Sequence, residues 1–273
     1  MADVATWRDG LPSAIADLER RWSLKVQPPF AHEDASASWV APVTLADGSS
    51  AVLKLGMPHM EAEHELHGLR FWSGNPTVRL LDADEALNAL LLERCTPGTA
   101  LRAEPEAEQD LVIARLLRLL WRVPDEPGPF RPLSHMLSHW SKEALEACES
   151  WTDPSLVEEG LRLYSSLPRS APEHVLLATD LHAGNVLRAE REPWLVIDPK
   201  PFIGDPAYDA TQHLLNCPAR LYSDPDGTIR RLADLLELDP ERVRLWTFAR
   251  AAVGPWDDRE RDKWLPLARS IAP

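Results

Sequence analysis

A chain of 273 residues with 44% hydrophobic content can bury a sizeable core, as one large domain or as two lobes. Its formal charge of −14 argues against a nucleic-acid partner, which calls for a basic face to neutralise phosphates, and would attract a cationic small molecule. Three scattered cysteines without CxxC spacing (Cys95, Cys148, Cys217), an acidic opening at Met1–Asp9 and no apolar run of about 18 residues predict a soluble, cytoplasmic chain with no membrane partner.

Ile15, Leu18 and Trp22 recur at helical spacing, which predicts an amphipathic helix over 12–24, ended by Pro28 and Pro29. Residues 38–44 and 50–55 are β-prone runs around Ala46-Asp47-Gly48, a hairpin turn signal. Small residues in Ala35-Ser36-Ala37-Ser38-Trp39-Val40 could admit a phosphate to the backbone, although the glycines of a phosphate cradle are missing. Lys54, one of only five lysines, stands mid-strand in Ala51-Val52-Leu53-Lys54-Leu55. Turned inward, it requires an anionic partner; turned outward, it is simply solvated.

A helix predicted over 60–72, after Pro58, offers Glu61, Glu63 and Glu65 as that partner. His59, His64 and His67 lack a metal-ligand spacing and read as surface residues. Strands at 78–81 and 87–92, around the acidic turn 82–85, extend the antiparallel unit. Beyond residue 100 the pattern is helical, at 105–122, 133–149, 155–167, 206–215, 228–237, 240–252 and 256–271. Trp121, Trp140 and Trp151 in this part read as core rather than as a pocket lining, and His135 with His139 has no third ligand in reach.

The densest chemistry lies in Leu176–Tyr208, LLATDLHAGNVLRAEREPWLVIDPKPFIGDPAY. Short apolar runs at 175–177 and 195–197 deliver the chain to Asp180 and Asp198, and Val186-Leu187 could form a strand between them. Carboxylate, amide and carboxylate at Asp180, Asn185 and Asp198 can converge on a hard cation such as Mg²⁺. Each motif alone is weak, since an aspartate after a strand is often a turn or a cap.

Together, D-L-H-A-G-N at 180–185, V-I-D-P-K at 196–200 and G-D-P-A-Y-D at 204–209 resemble the aminoglycoside phosphotransferases, in their streptomycin and hydroxyurea kinase branch. The resemblance implies an α+β, bilobal protein-kinase-like fold. A small antiparallel β-sheet N-lobe, residues 1–96, would bind nucleotide; a larger, mainly helical C-lobe, residues 97–273, would carry the catalytic loop and acceptor site. It also implies ATP- and Mg²⁺-dependent phosphoryl transfer to a hydroxyl of a small molecule. Asp180 is then the catalytic aspartate, Asn185 and Asp198 the Mg²⁺ ligands, and Lys54 the residue on the α/β-phosphates. The family's E-x-x-x-L pattern selects Glu65 as the partner of Lys54. Glu93 and Cys95 fall in the hinge segment Leu92–Gly98, whose backbone would bind adenine. Asp205 is expected to hold the loop and Asp209 to cap the next helix.

One departure stands out. The family's H-G-D is written Ala178-Thr179-Asp180, so the histidine that braces the loop is absent, and His182 is the candidate for part of its role. That loss motivates a rival reading as a nucleotide-binding pseudokinase. A third, a metal-dependent hydrolase, would use Asp180, His182 and Asp198 without Lys54. P-loop kinases are excluded, because no G-x-x-x-x-G-K-[ST] is present.

Overall fold

The computed structural model describes residues 4–30, 37–125, 128–254 and 258–273, without the side chains of 258–262. The elements run α1 (Val4–Arg21), β1 (Lys25–Val26), β2 (Ser38–Thr44), β3 (Ser50–Gly56), α2 (Glu65–Trp72), β4 (Leu80–Asp84) and β5 (Ala89–Glu93). There follow α3 (Glu106–Leu120), α4 (Leu133–Glu146), α5 (Pro154–Ser166), β6 (Val175–Leu177), β7 (Val186–Arg188), β8 (Trp194–Val196) and β9 (Phe202–Gly204). The last are α6 (Pro206–Leu215), α7 (Pro218–Ser223), α8 (Pro225–Leu236), α9 (Pro240–Val253) and α10 (Asp258–Ser270). The class is α+β, as expected. Ala35, Ser36 and Trp256, which figured in the expectations above, lie outside the described residues.

Contacts divide the chain into two compact units, Met1–Thr99 with Leu187–Pro199, and Ala100–Val186 with Lys200–Pro273. In the first, five strands form an antiparallel sheet in the order β1-β2-β3-β5-β4. The two-residue period of a strand sorts β3 onto two faces. Ala51, Leu53 and Leu55 pack with Leu18, Val43 and Leu91, whereas Val52 meets Leu69, Val78 and Leu92. Lys54 shares the parity of Val52, so it emerges on the side covered by α2.

Several boundaries differ from expectation for local reasons. α1 already begins at Val4 and runs through Pro12. α2 begins at Glu65 rather than residue 60, because 59–65 wind as tight turns with Ala62 N–H bonded to His59 O and Glu65 N–H to Ala62 O, both 3.2 Å. β4 runs into the acidic residues expected to turn: Asp84 pairs with Arg21 at 2.6 Å and accepts the Leu87 N–H at 2.9 Å. The turn moves on to Asn88, whose φ of 47° asparagine tolerates.

In the second unit, α9 is buried nearly all round, through Val243, Trp246, Phe248, Ala249 and Ala251. α5 approaches it closely at Gly160, where a Cβ would stand 2.5 Å from Val253. β6 pairs antiparallel with β9, a strand the sequence did not announce. This small sheet launches the loop carrying Asp180 and, through β9, sets the start of α6. Among the described residues no helix is long and apolar enough to cross a membrane.

Candidate active site

In the first unit, β3 delivers Lys54 into the interior, where its side chain is only 9% exposed. Its Nζ donates to both carboxylate oxygens of Glu65, at 2.7 and 2.6 Å, and to Asp198 Oδ1 at 2.6 Å. Of the three glutamates considered, Glu65 is therefore the one bonded to Lys54, placed there as the first residue of α2. Burial pulls the ammonium towards neutrality, but Glu65 and Asp198 outweigh it and hold Lys54 above the ordinary lysine range. Asp198 follows β8 with a φ of 52°, a conformation that aspartate accepts more readily than most residues.

Glu93 ends β5 with both oxygens on Arg191, each at 2.9 Å, and also accepts the Arg79 N–H. Burial would raise its carboxyl, yet Arg191 and that N–H hold it below its usual range. Cys95 packs against the cluster of Leu69, Leu92 and Leu195, and burial pushes its thiol up to about 11. Both side chains serve the protein itself, so this segment would meet a ligand through its backbone.

The second unit gathers the loop residues around Asp180. Its carboxylate accepts from the Lys200 ammonium, from Gln212 Nε2 at 2.7 Å and more weakly from Asn185 Nδ2 at 3.5 Å. Asn185 Nδ2 also donates to the Asp180 carbonyl at 3.0 Å. This orients the amide oxygen, the atom a hard cation prefers, in the opposite direction. Gln212 is oriented in turn by Arg250, which donates to its Oε1 at 2.5 Å and to Thr211 Oγ1 at 2.8 Å.

Two expectations about the neighbouring aspartates are reversed. Asp209 holds the loop: its buried carboxylate accepts from Thr179 N at 2.7 Å, Ala178 N at 3.0 Å and Trp121 Nε1 at 3.1 Å. Asp205 instead caps α6 by accepting from Ala207 N, and is fixed by Arg242 at 2.6 Å and Trp246 Nε1 at 2.5 Å. The reason is helix geometry: Asp209 lies one turn into α6, on the face shared with Gln212, and so points at the loop. Burial raises the Asp209 carboxyl to about 6, against the lowering effect of its three donors. His182 does not brace the loop either. Its Nδ1 accepts the Gly184 N–H at 3.0 Å, capping a single tight turn, and burial lowers the imidazole.

Lys200 and Gln212 were not singled out from the sequence, and Thr179 only as part of the departure from H-G-D. Lys200 carried a signal, as a scarce lysine inside the V-I-D-P-K run; Gln212 carried only its helical offset from Asp209. The tryptophans are structural: Trp121 binds Asp209, Trp140 is buried in α4, and Trp151 Nε1 donates to Ala144 O at 3.1 Å. Among the described residues no three His, Cys, Asp or Glu side chains gather to hold a metal. A cation here would draw its remaining ligands from phosphate and water.

Comparison with known proteins fits this geometry. The family model for aminoglycoside/hydroxyurea antibiotic resistance kinase matches residues 21–260. A streptomycin 6-kinase of Streptomyces griseus is 39% identical over 262 residues, covering 92% of this chain and 84% of that one. A hydroxyurea phosphotransferase of Kitasatospora aureofaciens is 33% identical over 264 residues, covering 94% and 76% respectively. Among solved structures, choline kinase LicA from Streptococcus pneumoniae aligns with a TM-score of 0.70 at 10% identity, covering 96% of this chain and 99% of that one, which shows a shared kinase-like fold. With a family model spanning most of its length and relatives above 30% identity, the chain belongs to the aminoglycoside/hydroxyurea antibiotic resistance kinases.

Proposed function

We propose that the chain is an ATP- and Mg²⁺-dependent O-phosphotransferase acting on a hydroxyl of a small antibiotic-like molecule, with streptomycin the first acceptor to test. The observation that carries this reading is the buried Lys54 joined to both Glu65 and Asp198, an arrangement a hydrolase has no need of. In it, the first unit binds the nucleotide and the second holds the catalytic loop and the acceptor.

The residues would divide the work as phosphoryl transfer requires, by positioning and charge neutralisation. Lys54, oriented by Glu65, turns its ammonium to the α/β-phosphates. Asp198 and, in the second unit, the amide oxygen of Asn185 are the candidate ligands of Mg²⁺, which would neutralise the phosphate oxygens. Asp180 orients the acceptor hydroxyl and takes its proton as that oxygen bonds to the γ-phosphorus and the bond to the bridging oxygen breaks, releasing ADP. Lys200 keeps the Asp180 carboxylate aimed until the hydroxyl arrives. The excess of acidic side chains favours a cationic acceptor and offers nucleic acid no basic face, and the reading places the enzyme in the cytoplasm.

The test is incubation with Mg·ATP and a panel of hydroxylated compounds, including streptomycin, with hydroxyurea alongside, read by mass for a gained phosphoryl group. Transfer that disappears in Asp180→Asn supports the assignment. Tight nucleotide binding with no transfer to any compound would favour the pseudokinase.

A further inference from the structure

We infer that Thr179 is the positioning residue that replaces the missing histidine, tying the backbone of Lys200 to the catalytic loop through its hydroxyl. The inference rests on the proposed role of Asp180. Thr179 is nearly buried and has a φ of 48°. A β-branched residue is a genuine outlier there, and such strain persists only where the surroundings over-determine it. A glycine, as in H-G-D, would adopt the same backbone freely. The strained threonine gains what glycine lacks, a hydroxyl.

That hydroxyl donates to the Lys200 carbonyl at 2.6 Å, and the Lys200 N–H donates to the Ala178 carbonyl at 2.9 Å. Lys200 is thus pinned on both sides of its α-carbon by residues 178 and 179, while its ammonium pairs with Asp180. From behind, Asp209 fixes the N–H groups of the same two residues. Neither neighbour can stand in for the hydroxyl. Ala178 carries only a methyl, and His182 Nδ1 is an acceptor for Gly184. Thr179 therefore sets where the Lys200 ammonium and the Asp180 carboxylate meet, without touching substrate itself.

The experiment compares Thr179→Val, Thr179→Ser and Thr179→Gly by hydrogen–deuterium exchange over 178–186 and by steady-state phosphorylation of streptomycin. In Thr179→Val, loop exchange should rise and kcat should fall, each about tenfold, the equivalent of one lost hydrogen bond, with KM for ATP within about twofold. Thr179→Ser keeps the donor and should restore both quantities to within about threefold of wild type. Thr179→Gly relieves the backbone strain yet should keep the low kcat, and it covers the case in which the valine variant folds poorly. Unchanged loop exchange in both Thr179→Val and Thr179→Gly would overturn the brace. Raised exchange with wild-type kcat would overturn its bearing on catalysis. Wild-type protein that phosphorylates nothing would sink the proposed function instead, leaving exchange to decide the brace.

Discussion

Replacing Glu65 with glutamine tests the buried ion pair with little change in shape. Lys54 and Glu65 are 9% and 7% exposed at their side chains and bonded at 2.6–2.7 Å, so solvent screens them little. Stranding one partner of a buried pair typically costs about 3–5 kcal/mol. Here Lys54 keeps Asp198 at 2.6 Å, whose side chain is 35% exposed. A half-screened contact of that kind is worth about 1 kcal/mol, so the expected loss is about 2–4 kcal/mol. Lys54→Met should be similarly costly, whereas the double variant should recover much of the loss, since neutral pairs replace buried ion pairs at little net cost. Urea unfolding gives the three stabilities and calorimetry the ATP affinities, which should fall in both single variants. Additivity within about 0.5 kcal/mol, together with wild-type ATP affinity in Glu65→Gln, would refute the reasoning. The sign with pH follows from the raised Lys54: its stabilisation is complete below the ordinary lysine range and is lost only as alkali titrates the folded protein.

Asp180→Asn should lower kcat by about 10²–10⁴ while leaving ATP affinity near wild type, checked by steady-state kinetics and calorimetry. Lys200→Met should lower kcat more than it raises KM for ATP, because Asp180 loses the cation that aims it. Asp209→Asn leaves one acceptor oxygen for three donors, so exchange at 178–180 should rise. Because burial raises folded Asp209 to about 6, above its unfolded value, the native chain binds the extra proton between pH ~4 and ~6 and loses stability as pH rises through that window. The wild-type advantage over Asp209→Asn should therefore shrink by up to about 3 kcal/mol across it, read by urea midpoints. A flat difference would contradict the raised carboxyl.

The legible parts of this molecule were those written locally. β2 and β3 follow from two β-prone runs around Asp47-Gly48, and α6 from the helix expected over 206–215. Asp180, Asn185 and Asp198 came from motif spacing. What the sequence hid depends on long-range contacts. The carboxylate that meets Lys54 stands at the start of α2, eleven residues away in sequence. The exchanged roles of Asp205 and Asp209 depend on Arg242, Trp246 and Trp121, none of them near in sequence. β9 is three residues long beside prolines, too short to show a period. Thr179 looked like a loss of function because the missing histidine was visible, whereas the hydroxyl's partner, the Lys200 carbonyl, was not.

The segment Leu187–Pro199 belongs to the first unit, although segments of the second flank it in sequence. The sheet at the start of the chain thus emerges from the ribosome without Asp198, the residue that completes the contacts of Lys54, until about 200 residues have been made. Until then the buried ammonium has Glu65 alone. A fragment ending at Thr99 would be a nascent intermediate rather than a portable nucleotide-binding module, and a split-protein design would succeed only if its cut kept 187–199 with the sheet.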